Sequence, residues 1–113
     1  MRKLFALLLT LALFAAGGHA AFARTTRTIK VGDDYFVKKG KPSTITVRKG
    51  TRVTFKWNKG DSLHNVHARK GPVTFRSAFM RKGSFSKVLK KKGTYVVYCE
   101  IHAPSMRVTI KVK

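Results

Sequence analysis

From Thr28 onward, apolar residues recur at alternate positions in short runs, and no window keeps helical spacing over three turns. Thr28–Val31 puts Ile29 and Val31 on one face, and Gly32-Asp33-Asp34 follows as a turn. Ser43–Arg48 sends Ile45 and Val47 inward and Thr44, Thr46 and Arg48 outward. After the tight turn Lys49-Gly50, Thr51–Trp57 repeats the pattern with Val53, Phe55 and Trp57 buried. Asn58-Lys59-Gly60-Asp61 closes that pair of strands.

His64–Arg69 predicts a short strand, and Lys70-Gly71-Pro72 a loop. Phe75, Phe79 and Phe85 occupy a less regular stretch. In Ser84–Leu89, Lys87 shares parity with Phe85 and Leu89, which calls for a bulge or an edge strand. Lys90-Lys91-Lys92-Gly93 is a charged turn. Thr94–Cys99 sets Tyr95, Val97 and Cys99 on one face and Val96 and Tyr98 on the other. The last strand runs from Met106, with Met106, Val108, Ile110 and Val112 inward. About six to eight strands separated by turn signals describe an all-β sandwich or small barrel.

The first 23 residues stand apart. Met1-Arg2-Lys3 is a basic start, Leu4–Ala16 is apolar but for Thr10, and Ala21-Phe22-Ala23 is a small-residue cleavage pattern. That succession is a secretory signal peptide, because its apolar run is shorter than the ~20 residues of a spanning helix. Cleavage leaves one domain, residues 24–113, exported to the periplasm or the cell exterior and not held by a transmembrane helix. Its only cysteine, Cys99, cannot form an internal disulfide, so the fold must rest on its core, a metal, or both. Twenty-five Lys and Arg stand against four acids. Such a field suits acidic proteins or an anionic envelope surface; nucleic acid is not an expected partner of an exported chain.

Four side chains then share one chemistry. His64 lies at the mouth of a strand, while Cys99, His102 and Met106 occupy the loop between the last two strands. A C-x2-H-x3-M loop can turn three side chains toward one point, and a histidine from a neighbouring loop completes the set. Two imidazoles, a thiolate and a thioether form a soft site that selects copper. Zinc gains little from a thioether, and calcium needs oxygen ligands that four acids hardly supply. Taken singly, Cys99 would read as an inert buried thiol and Met106 as core; their coincidence with two histidines favours ligation. His67 has the opposite strand parity to His64 and reads as a surface residue, and Met80 reads as packing. Trp57 is core, near the metal.

From Thr28 to its end the chain resembles the plastocyanin- and azurin-type cupredoxins, especially small bacterial plastocyanin-like domains. The resemblance rests on His64-Asn65-Val66, Tyr98-Cys99-x-x-His102 and a methionine just before the final strand. It implies a Greek-key β-sandwich, a single type 1 (blue) copper cycling between Cu2+ and Cu+, and one-electron transport. It also implies His64, Cys99 and His102 as equatorial ligands, Met106 as the weak axial one, and Asn65 as a tie between the two ligand loops. Glu100 departs from the small polar residue that relatives often carry after the cysteine. A monomeric electron carrier serving acidic redox partners is the leading expectation; extracytoplasmic copper binding and delivery is the alternative. Catalysis is not expected, because multicopper enzymes need more histidines than His67 alone, and Cys–His nucleophilic chemistry would need the residues that the metal uses.

Cleavage predicts a mature N-terminus at Arg24. Intact-mass analysis of the exported protein is expected to give the mass of residues 24–113, and retention of Met1 would overturn the assignment.

Overall fold

The computed structural model describes residues 25–40, 42–58, 60 and 62–113; the signal peptide expected over residues 1–23 lies outside them. Nine strands follow in order: β1 (Thr26–Gly32), β2 (Tyr35–Phe36), β3 (Ser43–Val47), β4 (Thr51–Trp57), β5 (His67–Lys70), β6 (Phe75–Arg76), β7 (Gly83–Leu89), β8 (Gly93–Tyr98) and β9 (Arg107–Val112). They form two mixed sheets, β2-β1-β4-β7 and β3-β9-β8-β5-β6. β1 runs parallel to β4, and β3 runs parallel to β9. This is the expected all-β sandwich, with two strands of only two residues that alternation over so short a span could not announce.

Period-2 patterning sets the two inner faces. Ile29, Val31, Val53, Phe55 and Trp57 from one sheet join Ile45, Val97, Val108 and Ile110 from the other in one buried cluster. Each such side chain stabilises the fold by roughly 1.5–3 kcal/mol relative to exposure, which supplies a core without a disulfide. The irregular phenylalanines also find places. Phe55 meets Phe36 edge-on at 6.0 Å, Phe85 lies 6.4 Å from Phe55, and Phe75 stacks on Phe85 at 6.1 Å. Phe79 is exposed.

The parity conflict at Lys87 is resolved by position rather than by a bulge. β7 is an edge strand whose register with β4 is unbroken, and Lys87 Nζ lies 5.9 Å from the Phe75 ring centroid. Its stem covers apolar surface while its charge reaches an aromatic face. Near the site one strand is shorter than expected: β5 starts at His67, and His64 instead forms an isolated antiparallel bridge with Met80. His64 N–H donates to the Met80 carbonyl at 3.1 Å, and Met80 N–H returns a bond at 2.9 Å. Met80 is thus a backbone partner of His64 whose side chain packs against the core.

The opposite end of the sandwich carries basic turns. Lys49 N–H donates to the Lys113 carbonyl and Gly50 N–H to the Leu89 carbonyl, gathering exposed Arg48, Lys49, Lys90 and Lys113 at that pole. Tyr95, fully buried on β8, donates its hydroxyl to the Lys91 carbonyl at 2.8 Å, a tyrosine corner that pins this turn. Burial pushes its phenol pKa above the usual 10.0. A raised folded-state pKa means that its contribution to stability is complete below the unfolded value and is lost as pH rises through the folded one. Tyr95→Phe is therefore expected to cost about 1 kcal/mol near neutral pH and to flatten the alkaline loss of stability, measured by denaturant unfolding at a series of pH values.

Candidate metal centre

β8 delivers Cys99 to the end of the sandwich, and β9 begins eight residues later at Arg107. The loop between them is closed by its own backbone. Cys99 N–H donates to the Met106 carbonyl, and Met106 N–H donates to the His102 carbonyl, both at 3.1 Å. Ser105 Oγ–H adds a bond to the His102 carbonyl at 3.0 Å. Met106 is fully buried beside the strand ends and is hydrogen-bonded through its backbone to both donor positions.

His64 arrives from the other side of the pocket, and three elements hold it. Its backbone pairs with Met80, its carbonyl accepts Trp57 Nε1–H at 3.2 Å, and its neighbour Val66 N–H donates to Ser77 Oγ at 2.8 Å. Trp57 therefore packs at the centre, as expected. The result is a compact trio. Cys99 Sγ lies 3.5 Å from His102 Nδ1 and 3.9 Å from His64 Nδ1, and the three donor atoms sit within 4.8 Å of one another. One ion with bonds of about 2.0–2.3 Å to nitrogen and sulfur spans such separations. Cys99 is fully buried and His64 nearly so, whereas the His102 side chain keeps 23% exposure. The donors thus fit a soft ion at a dry site with one imidazole edge reaching solvent.

Asn65 is buried between the two segments, and Glu100 is its partner. Asn65 Nδ2–H donates to Glu100 Oε2 at 2.6 Å, and Glu100 N–H donates to Asn65 Oδ1 at 2.8 Å. Arg76 grips the same carboxylate, with Nη2 3.1 Å from Oε1 and Nε 2.8 Å from Oε2. The residue after Cys99 that looked like a departure is thus what fastens the Cys99 loop to the His64 segment. The Asn65 amide is the largest influence on the Glu100 carboxyl and, with Arg76 and His67 behind it, lowers its pKa despite desolvation, which ranks second and acts the other way. His67 Nδ1 lies 3.4 Å from Glu100 Oε2, so it serves this network and does not join the donor trio.

Two residues escaped the sequence reading. Asp33 Oδ1 lies 3.0 Å from His64 Nε2, and Asp34 Oδ1 lies 3.0 Å from His102 Nε2. An Asp-Asp pair after Gly32 reads first as turn chemistry. The available signal was scarcity: half of the chain's four acids are adjacent in one turn.

Asn65→Ala removes both bonds between the ligand segments. It is expected to cost about 1–2 kcal/mol in denaturant unfolding, because Glu100 N–H loses its acceptor while the carboxylate keeps only Arg76 and His67. Tenfold to hundredfold weaker copper binding, of the order seen when such supporting contacts are lost, is expected beside it in a competition titration.

Residues 4–112 match the family model described as the cupredoxin-like domain. No curated protein matches the chain. Among solved structures, the chain is similar to a Cu-containing nitrite reductase (NirK) from Thermus scotoductus SA-01, with TM-score 0.66 and 22% identity over 81% of this chain. It spans only 23% of that enzyme's length. It is also similar to an amicyanin, with TM-score 0.63 and 23% identity over 83% of this chain and 88% of that one. A novel purple cupredoxin from Nitrosopumilus maritimus gives TM-score 0.63 and 17% identity over 77% of this chain and 99% of that one. With a donor set that fits one type 1 copper ion, this chain belongs to the cupredoxin-like domain family.

Proposed function

We propose that this protein is a small exported type 1 copper protein that carries single electrons. The observation that carries the reading is the buried Cys99 Sγ faced by the Nδ1 atoms of His64 and His102. In this reading His64, Cys99 and His102 would hold one copper ion, and Met106 would add a weak thioether donor. The bound ion would supply a one-electron Cu2+/Cu+ couple. The chain's own part is to keep the donors still: the closed 99–106 loop, the Met80 bridge and the Asn65–Glu100 tie restrain them, so a change of oxidation state would move little. Fixed donors suit rapid electron exchange, because little reorganisation accompanies each transfer.

The partly exposed His102 edge is the natural contact for a redox partner, and the basic surface favours partners with acidic faces or an anionic envelope surface. Export to the periplasm or the cell exterior follows from the N-terminal pattern; among the described residues no helix is long and apolar enough to cross a membrane. A carrier role, rather than catalysis, is supported by the donor inventory. Among the described residues the trio is the one candidate metal group, and His67 faces Glu100.

A visible absorption spectrum of copper-loaded protein, residues 24–113, tests the reading. An intense thiolate-to-copper band is expected, lost in Cys99→Ser. Met106→Leu is expected to keep the band and raise the reduction potential, since a donor that helps to stabilise Cu2+ is removed. Absence of the band would overturn the type 1 assignment. A band without a reversible couple would instead favour copper binding and delivery.

A further inference from the structure

Both imidazoles of the donor trio turn Nδ1 toward Cys99, and both present Nε2 to a carboxylate of a single turn. We infer that Asp33 and Asp34 are paired positioning residues, which fix the Nε2–H form of His64 and His102 and place two negative charges behind the copper. The inference rests on the proposed copper site and adds to it the groups that set its donor tautomers and its potential.

An ionised carboxylate only accepts hydrogen bonds, so a neutral imidazole bonded to it must carry its proton on the bonded nitrogen. Asp33 and Asp34 thereby leave the Nδ1 lone pairs of His64 and His102 free to face Cys99 Sγ. Anionic partners also make the imidazoles better donors, as carboxylate–histidine–metal arrangements do. A negative charge this close favours the more positive metal state, so the pair should lower the reduction potential.

The fold has been shaped around these two side chains. β1 and β2 pair Val31 with Phe36 and Gly32 with Tyr35, which places Asp33 and Asp34 at the hairpin tip. A Cβ on Gly32 would overlap the Tyr35 ring where that ring now lies, so glycine lets Tyr35 fold over the turn. Asp34 adopts φ 68°, a left-handed conformation that Asp and Asn tolerate better than most residues. Asp33 Oδ1 also accepts Ser62 N–H at 3.3 Å, which ties the hairpin to the segment leading into His64. Gly60 makes room for that carboxylate, because a Cβ there would lie 2.5 Å from Asp33 Oδ1. Two residues widely separated in sequence from the ligands are thus bound to both of them through one hairpin.

The test compares Asp33→Asn, Asp33→Ala, Asp34→Asn and Gly60→Ala with the parent. In metal-free protein, at a pH where both rings are neutral, nitrogen-15 shifts read the tautomer of each histidine. The parent is expected to show Nε2–H at both His64 and His102. The two Asn variants keep a side-chain oxygen acceptor and should keep the tautomers, yet each should raise the reduction potential of the copper form by removing one charge. Asp33→Ala should mix the His64 tautomers, leave His102 unchanged and weaken copper binding about 10–100-fold. Gly60→Ala, which displaces the carboxylate without deleting it, should reproduce the His64 effect. Unchanged tautomers in Asp33→Ala, or an unchanged potential in both Asn variants, would overturn the inference. The tautomer measurement needs no copper, so it decides the clamp even if the thiolate band never appears and the copper reading falls.

Discussion

A buried sulfur faced by two imidazole nitrogens is the arrangement on which the rest of this molecule depends. Cys99 Sγ is fully buried, and both Nδ1 atoms stand within 4 Å of it. Local chain geometry cannot create that meeting, because His64 and Cys99 lie 35 residues apart. It needs a rigid body that ends two sheets at the same place. The sandwich does so by pairing β8 with β9 around the Cys99–Met106 loop, while the Met80 bridge and the Trp57 indole hold His64 across from it. A tightly packed interior resists relaxation, which restrains donors held this way.

The inner faces were legible because alternation is a direct consequence of strand geometry. Ile45 and Val47, then Val53, Phe55 and Trp57, then Tyr95, Val97 and Cys99 all lie on the buried side that their parity implied. The trio was legible for a different reason: ligand types and loop spacing identify a soft donor set before any contact is known. Sequence reading failed where a residue's role is decided by a distant partner. His64 looked like the first residue of a strand, but its one β-bridge partner is Met80, outside the named strands. Glu100 looked like an anomaly until Asn65 and Arg76 were found around it. Asp33 and Asp34 looked like turn formers, which they are, and nothing local reveals that their carboxylates reach the imidazoles 31 and 68 positions away.

Charge gives these failures a common cause. In a chain with 25 basic residues and four acids, an acid is too scarce to be surface decoration. Each described acid contacts the site: Asp33 meets His64, Asp34 meets His102, and Glu100 meets Asn65, Arg76 and His67. At the opposite pole the turns bearing Arg48, Lys49, Lys90, Lys91, Lys92 and Lys113 hold no acidic side chain. Among the described residues the chain is therefore polarised, with negative groups gathered where the donors are and positive groups prevailing elsewhere.

That polarity lets two electrostatic requirements coexist. A uniformly positive surface would raise the potential of a bound cation and oppose its binding, whereas a uniformly acidic one would forgo attraction to anionic partners. Carboxylates a few ångströms from the donors dominate the local field, because Coulomb energy falls with distance and salt screens exposed charges beyond about 10 Å at 0.1 M. In the proposed carrier role, the distant basic residues would shape encounter with partners while adding little at the metal. Moving a lysine at the far pole and moving Asp33 are consequently different operations: the first acts on the approach of a partner, the second on the ion itself.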